Sequence, residues 1–251
     1  MKKILSRRNL VIGVGAVSTG VALTTLDKGG LIPPKIRGGL MGIADVLTMA
    51  SQRLLMFHQP LVREYRPKDI IKDFPQWGEV FPQDQTYQMH LREGFTRWRL
   101  PVQGMVKQPR SFSLDELKRL PQRSQITMHI CEQGWSAIAE WTGVKLLDVL
   151  LAAGGVTPEA RYVSIEAFDG WYEGYDMFDV VHPQTILAYG LNGRDLPVGN
   201  GAPVRLRVER QCGYKHLKFL KSITVVSSMS NIGGGTGGGN SDHNFHWYGG
   251  A

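Results

Sequence analysis

From Tyr87 onward the chain is a succession of short runs, each closed by glycine, proline or a polar turn before it can lengthen. Trp98 to Val102, Gln125 to Ile130, Tyr162 to Ala167, Val204 to Glu209 and Lys221 to Ser227 read as strands, several alternating apolar with polar residues. The helical runs are equally short. Ser113 opens one with Glu116 three residues on, the capping-box spacing, and Pro121 stops it. Val144 to Ala153 carries Leu146, Leu147, Val149 and Leu150 and meets Gly154-Gly155. Short strands mixed with short helices exclude a regular βαβ array and place the fold in the α+β class, with mixed β-sheets.

Upstream of Tyr87 the character changes. Leu40 to Phe57 has helical periodicity, and Gly29 to Arg37 is a Gly/Pro linker. Arg63 to Asp84 is rich in proline, charge and aromatics and is expected to be irregular, wrapped over a surface or a ligand. The expected organisation is therefore a leader over 1–28, a linker and wrapping segment over 29–86, and a compact domain over 87–251.

The net charge of +7 is unevenly placed. Lys2, Lys3, Arg7 and Arg8 precede the first acid, Asp27, and without them 25 basic residues face 22 acidic ones. That balance, with no lysine run and no basic stripe interleaved with aromatics, excludes a nucleic-acid binder. Ser6-Arg-Arg-Asn-Leu-Val11, ahead of a moderately apolar stretch from Leu10 to Leu26, fits a twin-arginine export signal and a periplasmic destination. No clean small-x-small cleavage site stands before Asp27, so retention as an N-terminal membrane anchor stays open.

Cys131 and Cys212 are the only cysteines. Cys131 lies in His129-Ile-Cys-Glu-Gln-Gly-Trp-Ser136, at the end of a strand and before a helix-like segment, and Glu140-Trp-Thr-Gly-Val144 follows it closely. A lone thiolate at a strand end can ligate one soft metal whose other ligands come from elsewhere. In an oxidising compartment the two cysteines could instead pair. Two basic segments follow. Asn200-Gly-Ala-Pro-Val-Arg205 offers a turn with free amides and a guanidinium at a strand start; Gly213-Tyr-Lys-His-Leu-Lys218 offers two lysines three apart after a glycine. Both suit an anion, and neither is a P-loop or a dinucleotide fingerprint.

Taken in order, His129-Ile-Cys-Glu-Gln-Gly-Trp-Ser, Trp141-Thr-Gly-Val, Leu187-Ala-Tyr-Gly-Leu-Asn-Gly, Asn200-Gly-Ala-Pro-Val-Arg and Gly213-Tyr-Lys-His-Leu-Lys resemble the molybdopterin-binding domain of the sulfite oxidase family. The likeness runs from about Tyr87 to Ser228 and is strongest to exported bacterial members that reduce sulfoxides. It implies a molybdenum atom on the dithiolene of a molybdopterin, with Cys131 as the protein's metal ligand. It also implies that Asn200, Arg205, Lys215 and Lys218, with backbone groups at Gly213 and Tyr214, hold the pterin and its phosphate. Trp135 and Tyr172, with Trp171, are candidate walls of a substrate pocket, and Asp169 a candidate proton relay or turn cap. No haem-attachment motif occurs, so electrons are expected from a separate carrier such as a membrane cytochrome.

Sulfite-oxidising members follow the cysteine with small residues and an arginine. Here Glu132-Gln133 follow it. The expected reaction is oxygen-atom transfer from a sulfoxide-type substrate. Sulfite dehydrogenation is one alternative; a non-enzymatic anion-binding module with a Cys131–Cys212 disulfide is the other. His243 and His246, beside Asp242, are read as packed or solvated side chains.

Overall fold

The computed structural model describes residues 39–56, 58, 60–228, 230 and 232–250. The leader and the whole of the Gly/Pro linker, Gly29 to Arg37, lie outside the described residues. The chain divides into two compact units, Met1–His58 and Gln59–Ala251. In the first, α1 (Gly39–Leu55) realises the expected helical run.

The second unit carries two five-stranded sheets among the described residues. The first joins β1 (Leu100–Gly104), β2 (Arg110–Phe112), β5 (Tyr162–Ala167), β6 (Tyr172–Asp176) and β10 (Leu220–Val226) in the order β2-β1-β10-β5-β6. Only β1 and β10 run parallel. The second joins β3 (Gln122–Ile130), β4 (Ser136–Lys145) and β7 (Thr185–Leu191); β8 (Arg194–Asp195) and β9 (Arg205–Val208) both pair with β7. Around them stand α2 (Gln85–Arg92), α3 (Leu114–Arg119), α4 (Leu146–Ala152), α5 (Met177–Val180) and α6 (Gly239–Asp242).

Local chemistry explains several of these elements. The expected capping box starts α3: Ser113 Oγ accepts from the Glu116 amide at 3.1 Å, and the Glu116 carboxylate accepts from the Ser113 amide at 2.8 Å. The helix expected over Val144 to Ala153 is present as α4. Between it and Cys131 lies a strand that local sequence patterns leave unassigned: Ser136–Lys145 pairs residue for residue with β3 from Ile130↔Ser136 to Gln122↔Val144 and with β7 on its other edge. Its alternate residues Ala137, Ala139 and Trp141 are buried.

The main core lies between the sheets. Leu100, Val102, Ile165, Ile223 and Val225 of the first meet Val144, Leu187, Leu206 and Val208 of the second, with Tyr87, Leu146 and Val149 from the helices. Strand β7 is buried along its whole length because its other face is covered too. There Trp141, Ile186, Ala188 and Leu196 form a second, smaller cluster under Phe74 of the wrapping segment. That segment is irregular as expected and is pinned by its backbone: Tyr65 N–H donates to Ile126 O at 2.8 Å and Ile71 N–H to Ile138 O at 3.0 Å.

A buried ion pair ties the C-terminal loop to β6. Lys215 Nζ donates to Glu173 and to Gly174 O at 3.2 Å, and both side chains are fully buried. Glu173 also accepts from the Asn240 amide and side chain at 2.8 and 2.6 Å. Removing one partner strands the other charge without water. We therefore expect Lys215→Met to lower the urea-unfolding free energy by about 3–5 kcal/mol, and the double change with Glu173→Gln to restore much of it. A loss well under 1 kcal/mol in the single variant would show that the pair does not hold the loop.

Candidate functional site

Cys131 sits where β3 hands over to β4. Its N–H donates to Trp135 O at 2.9 Å, and the Gly134 N–H donates back to Cys131 O at 3.1 Å. Gly134 has φ +87°, which a side chain would resist, so this tight hairpin loop needs the glycine of the motif. The turn holds the thiol in a nearly buried position, 3.6 Å from a carboxylate oxygen of Glu132. Burial first, and Glu132 after it, push the thiol's pKa upward. Left alone the group stays protonated and unreactive; a bound cation is what would make it a thiolate.

Opposite Cys131, β9 divides its side chains by parity. Leu206 and Val208 enter the core, while Arg205 and Arg207 point the other way. Both guanidinium groups lie against the Trp141 ring, at 4.9 and 4.3 Å from its centre. Arg207 is completely buried and fully occupied: it pairs with Glu209 at 3.0 and 2.6 Å, and its third nitrogen lies 2.8 Å from His129 Nδ1. A guanidinium can only donate, so Nδ1 accepts and the imidazole proton sits on Nε2. Burial, then Arg207 and Arg205, push the His129 pKa down to about 2, so the ring is neutral. Its Nε2 faces Gly213 so closely that a Cβ there would come within 2.6 Å.

Arg205 is held differently. It donates to the main-chain oxygens of Asn200 at 3.0 Å and His216 at 3.2 Å, and its buried Nε–H has no partner. Burial first, then Arg207, pull its pKa down to about 9, still protonated at neutral pH. His216 uses Nε2 to donate to Val208 O and Gln211 O, both at 2.9 Å, which leaves Nδ1 as a buried acceptor without a donor. Lys218 donates to Trp77 O at 2.7 Å, to Gly199 O at 3.3 Å and to Glu79 O. Burial, then Arg205, lower its pKa to about 8. Among the described residues neither Arg205 nor Lys218 forms a salt bridge with a carboxylate.

These groups line one cleft with about 430 Å³ of space free of protein atoms, part of it open to solvent. It presents a soft-metal ligand, two cations without acidic partners, the His129 Nε2–H, the orphaned Arg205 Nε–H and the orphaned His216 Nδ1. A heterocycle with alternating donors and acceptors, a terminal phosphate and a metal beside the thiol answers each of them. Molybdopterin with molybdenum has those parts, so the residues present fit the group.

Of the residues singled out in the sequence, Cys131, Trp135, Asn200, Arg205, Gly213 and Lys218 meet in this cleft. Tyr214 and Lys215 extend their side chains elsewhere, Tyr214 to His246 O at 2.8 Å and Lys215 to Glu173. Tyr172 donates to Asp242 at 2.6 Å and borders a separate groove. Asp169 accepts from the Trp171 amide at 3.2 Å, the turn-capping role. His243 and His246 each engage a backbone oxygen through Nδ1, at Gly239 and Tyr248. The disulfide alternative is overturned: both cysteines are free thiols, and the Cys212 thiol faces Gly250 O at 3.7 Å.

Sequence reasoning missed His129, His216 and Arg207 as site residues, and missed Phe74, Pro75 and Trp77, which the wrapping segment brings to the cleft. A signal was present in β3. Gln125, Thr127 and His129 alternate with Ile126, Met128 and Ile130, and it is the polar set that is buried, with Ile130 41% exposed. An inverted alternation of this kind marks a strand whose inner face meets polar partners.

The neutral buried histidines make stability depend on pH. Below about pH 6.5 the unfolded chain protonates His129 and His216 while the folded chain refuses the protons, so acidification favours unfolding. The slope is about 1.4 kcal/mol per pH unit for each ring, present from the unfolded pKa down to the folded one. Urea unfolding at pH 7 and pH 5 should show a loss of stability to which His129 contributes about 2 kcal/mol, a share that disappears in His129→Gln. An identical pH dependence in the variant would remove His129 from the account.

Residues 88–232 match the oxidoreductase molybdopterin binding domain family. A putative protein-methionine-sulfoxide reductase subunit YedZ1 from Azospira oryzae is 38% identical over 100% of this chain and 88% of its own length. The protein-methionine-sulfoxide reductase catalytic subunits MsrP of Xanthomonas campestris and Ralstonia nicotianae are 37% and 34% identical over 53% of this chain. The chain matches 46% and 44% of those two relatives, less than half of each. Among solved structures, the sulfane dehydrogenase SoxCD of Paracoccus pantotrophus aligns with 52% of this chain and 38% of its own at 26% identity and a TM-score of 0.49. With a family match over more than half its length, the chain belongs to the oxidoreductase molybdopterin binding domain family and is a molybdopterin-dependent oxidoreductase whose cofactor is molybdenum on molybdopterin.

Proposed function

We propose that this enzyme removes the oxygen of a sulfoxide: R₂S=O, two electrons and two protons give R₂S and water. The electrons come from a separate carrier, for which a membrane cytochrome is the expected class. The observation that carries the substrate reading is the Glu132 carboxylate in the cleft, 3.6 Å from Cys131 Sγ. A negative charge beside the reacting centre repels sulfite, an anion, and leaves a neutral sulfoxide unaffected. The whole-length relative described as a putative protein-methionine-sulfoxide reductase subunit supports the same reading.

Bound molybdenum on its dithiolene supplies a centre that exchanges one oxygen atom and two electrons. The chain's own residues do the positioning. Cys131 would ligate the metal from its rigid turn. Arg205 and Lys218 would hold the phosphate, exchanging main-chain oxygens for an anion. His129, fixed by Arg207 as the Nε2–H tautomer, would donate to the pterin, and His216 Nδ1 would accept from it. Trp135 and Phe74 stand edge to face, ring centres 6.3 Å apart, and line the cleft on its aromatic side.

The test compares methionine sulfoxide with sulfite, using artificial electron carriers of suitable potential. The expected ratio of kcat/KM favours the sulfoxide, and Glu132→Gln should raise sulfite turnover about tenfold while changing sulfoxide turnover little. Cys131→Ala should abolish both together with bound molybdenum. Faster turnover of sulfite by the unmodified enzyme would hand the assignment to sulfite dehydrogenation.

We also propose that the enzyme is exported to the periplasm by the twin-arginine route, on the strength of Ser6-Arg-Arg-Asn-Leu-Val11. Replacing Arg7 and Arg8 by lysine should retain the molybdenum-loaded protein in the cytoplasm; undiminished periplasmic activity would exclude this route.

A further inference from the structure

The wall of the cleft that Phe74, Pro75 and Trp77 supply is held differently from the rest. The β3–β4 turn, β9 and the loop at Gly213 are fixed by hydrogen bonds between backbones. Residues 72–83, which carry this wall, make no backbone–backbone hydrogen bond with any described residue. The backbone is pinned at their two flanks, by Ile71 N–H to Ile138 O at 3.0 Å and by the start of α2, where Asp84 caps the Tyr87 amide at 2.9 Å. Between the flanks, side chains of the domain grip the segment by its carbonyls. Asn200 Nδ2 donates to Pro75 O at 3.2 Å and Gln88 Nε2 to Pro82 O at 2.6 Å. Lys218 Nζ donates to Trp77 O at 2.7 Å and to Glu79 O, and also to Gly199 O at 3.3 Å. Phe74 adds an apolar contact, edge-on to Trp141 with ring centres 5.0 Å apart.

The Lys218 ammonium has three protons, and protein oxygens take all three, two of them on this segment. An anion outcompetes a neutral carbonyl for a cation. A phosphate that recruits two of the three protons therefore displaces at least one oxygen of the segment, whichever two it takes. The same side chain cannot grip the segment fully and hold the phosphate as well. The cofactor is a rigid fused heterocycle, and the wall without backbone bonds is the one that can swing aside for it. We propose that residues 72–83 form a hinged lid through which the cofactor enters, and that Lys218 is its latch, trading lid carbonyls for the phosphate as the cofactor seats. The trade rests on the assignment of Lys218 to the phosphate made under Proposed function; the entry route does not.

The test uses the full chain, made in a host that cannot synthesise molybdopterin. It is digested briefly with chymotrypsin and, separately, mixed with isolated molybdopterin while uptake and release of the pterin are timed. The first cuts should fall after Phe74, Trp77 or Phe81. Lys218→Met should speed those cuts and pterin uptake about tenfold, and should speed release by more, so that affinity falls. Gln88→Leu loosens the lid away from the cleft; it should speed cutting, uptake and release alike, about fivefold, and leave affinity unchanged. Parental uptake rates in both variants, with their lids cut faster, would overturn the entry route. Lids cut at the parental rate in Lys218→Met would overturn the latch. Cutting throughout the cofactor-free parent would overturn the lid altogether, since the cofactor would then enter before the domain closes. Release from Lys218→Met accelerated no more than uptake would strike the phosphate assignment and the trade with it, while faster uptake in both variants would still uphold the entry route.

Discussion

The buried Arg207 guanidinium organises the site. It lies on the Trp141 ring of β4, pairs with Glu209 in the loop after β9, and donates to His129 of β3. Strands β3 and β9 do not neighbour each other in the sheet, yet Gln125 of β3 also donates to Glu209 at 2.9 Å. One cation thus draws together the strand that delivers Cys131 and the strand that delivers Arg205. Without water to compete, each of its bonds is strong, and losing the Glu209 carboxylate would leave its charge stranded.

The cations of the second unit separate into two kinds. Arg207, Lys215 and Arg210 are buried with carboxylates, at Glu209, Glu173 and Asp179. Their charges are neutralised within the fold. Arg205 and Lys218 donate their hydrogen bonds to main-chain oxygens, which orient a cation without cancelling it. A protein keeps such charges where an anion is to come. The distinction separates Lys215 from Lys218, beside which the motif alone would place it: its ammonium is neutralised by Glu173 of β6, which in turn holds Asn240 of the C-terminal loop.

The same logic separates the two cysteines. Cys131 is held in a glycine-dependent turn with its sulfur toward the cleft, while Cys212 faces the main chain of Gly250. The aromatic wrapping segment, unremarkable by periodicity, contributes Phe74 to a core cluster and Pro75 and Trp77 to the cleft. Its place follows from backbone bonds to β3 and β4, which no local pattern announces.

Sequence alone determined the α+β class, the capping box of α3, the strand carrying His129 toward Cys131, and the meeting of a lone thiol with two basic segments, because each is written in local spacing and residue type. The family likeness rested on the same ordered motifs. Tertiary structure alone decided that Ser136–Lys145 is a strand, that the polar face of β3 is the inner one, and that His129 and His216 present opposite hydrogen-bonding characters to the cleft. Those outcomes depend on which groups are buried together. The His129 tautomer and the neutralisation of Lys215 are set by partners 78 and 42 residues distant, Arg207 and Glu173, and no short window of sequence contains both members of either pair.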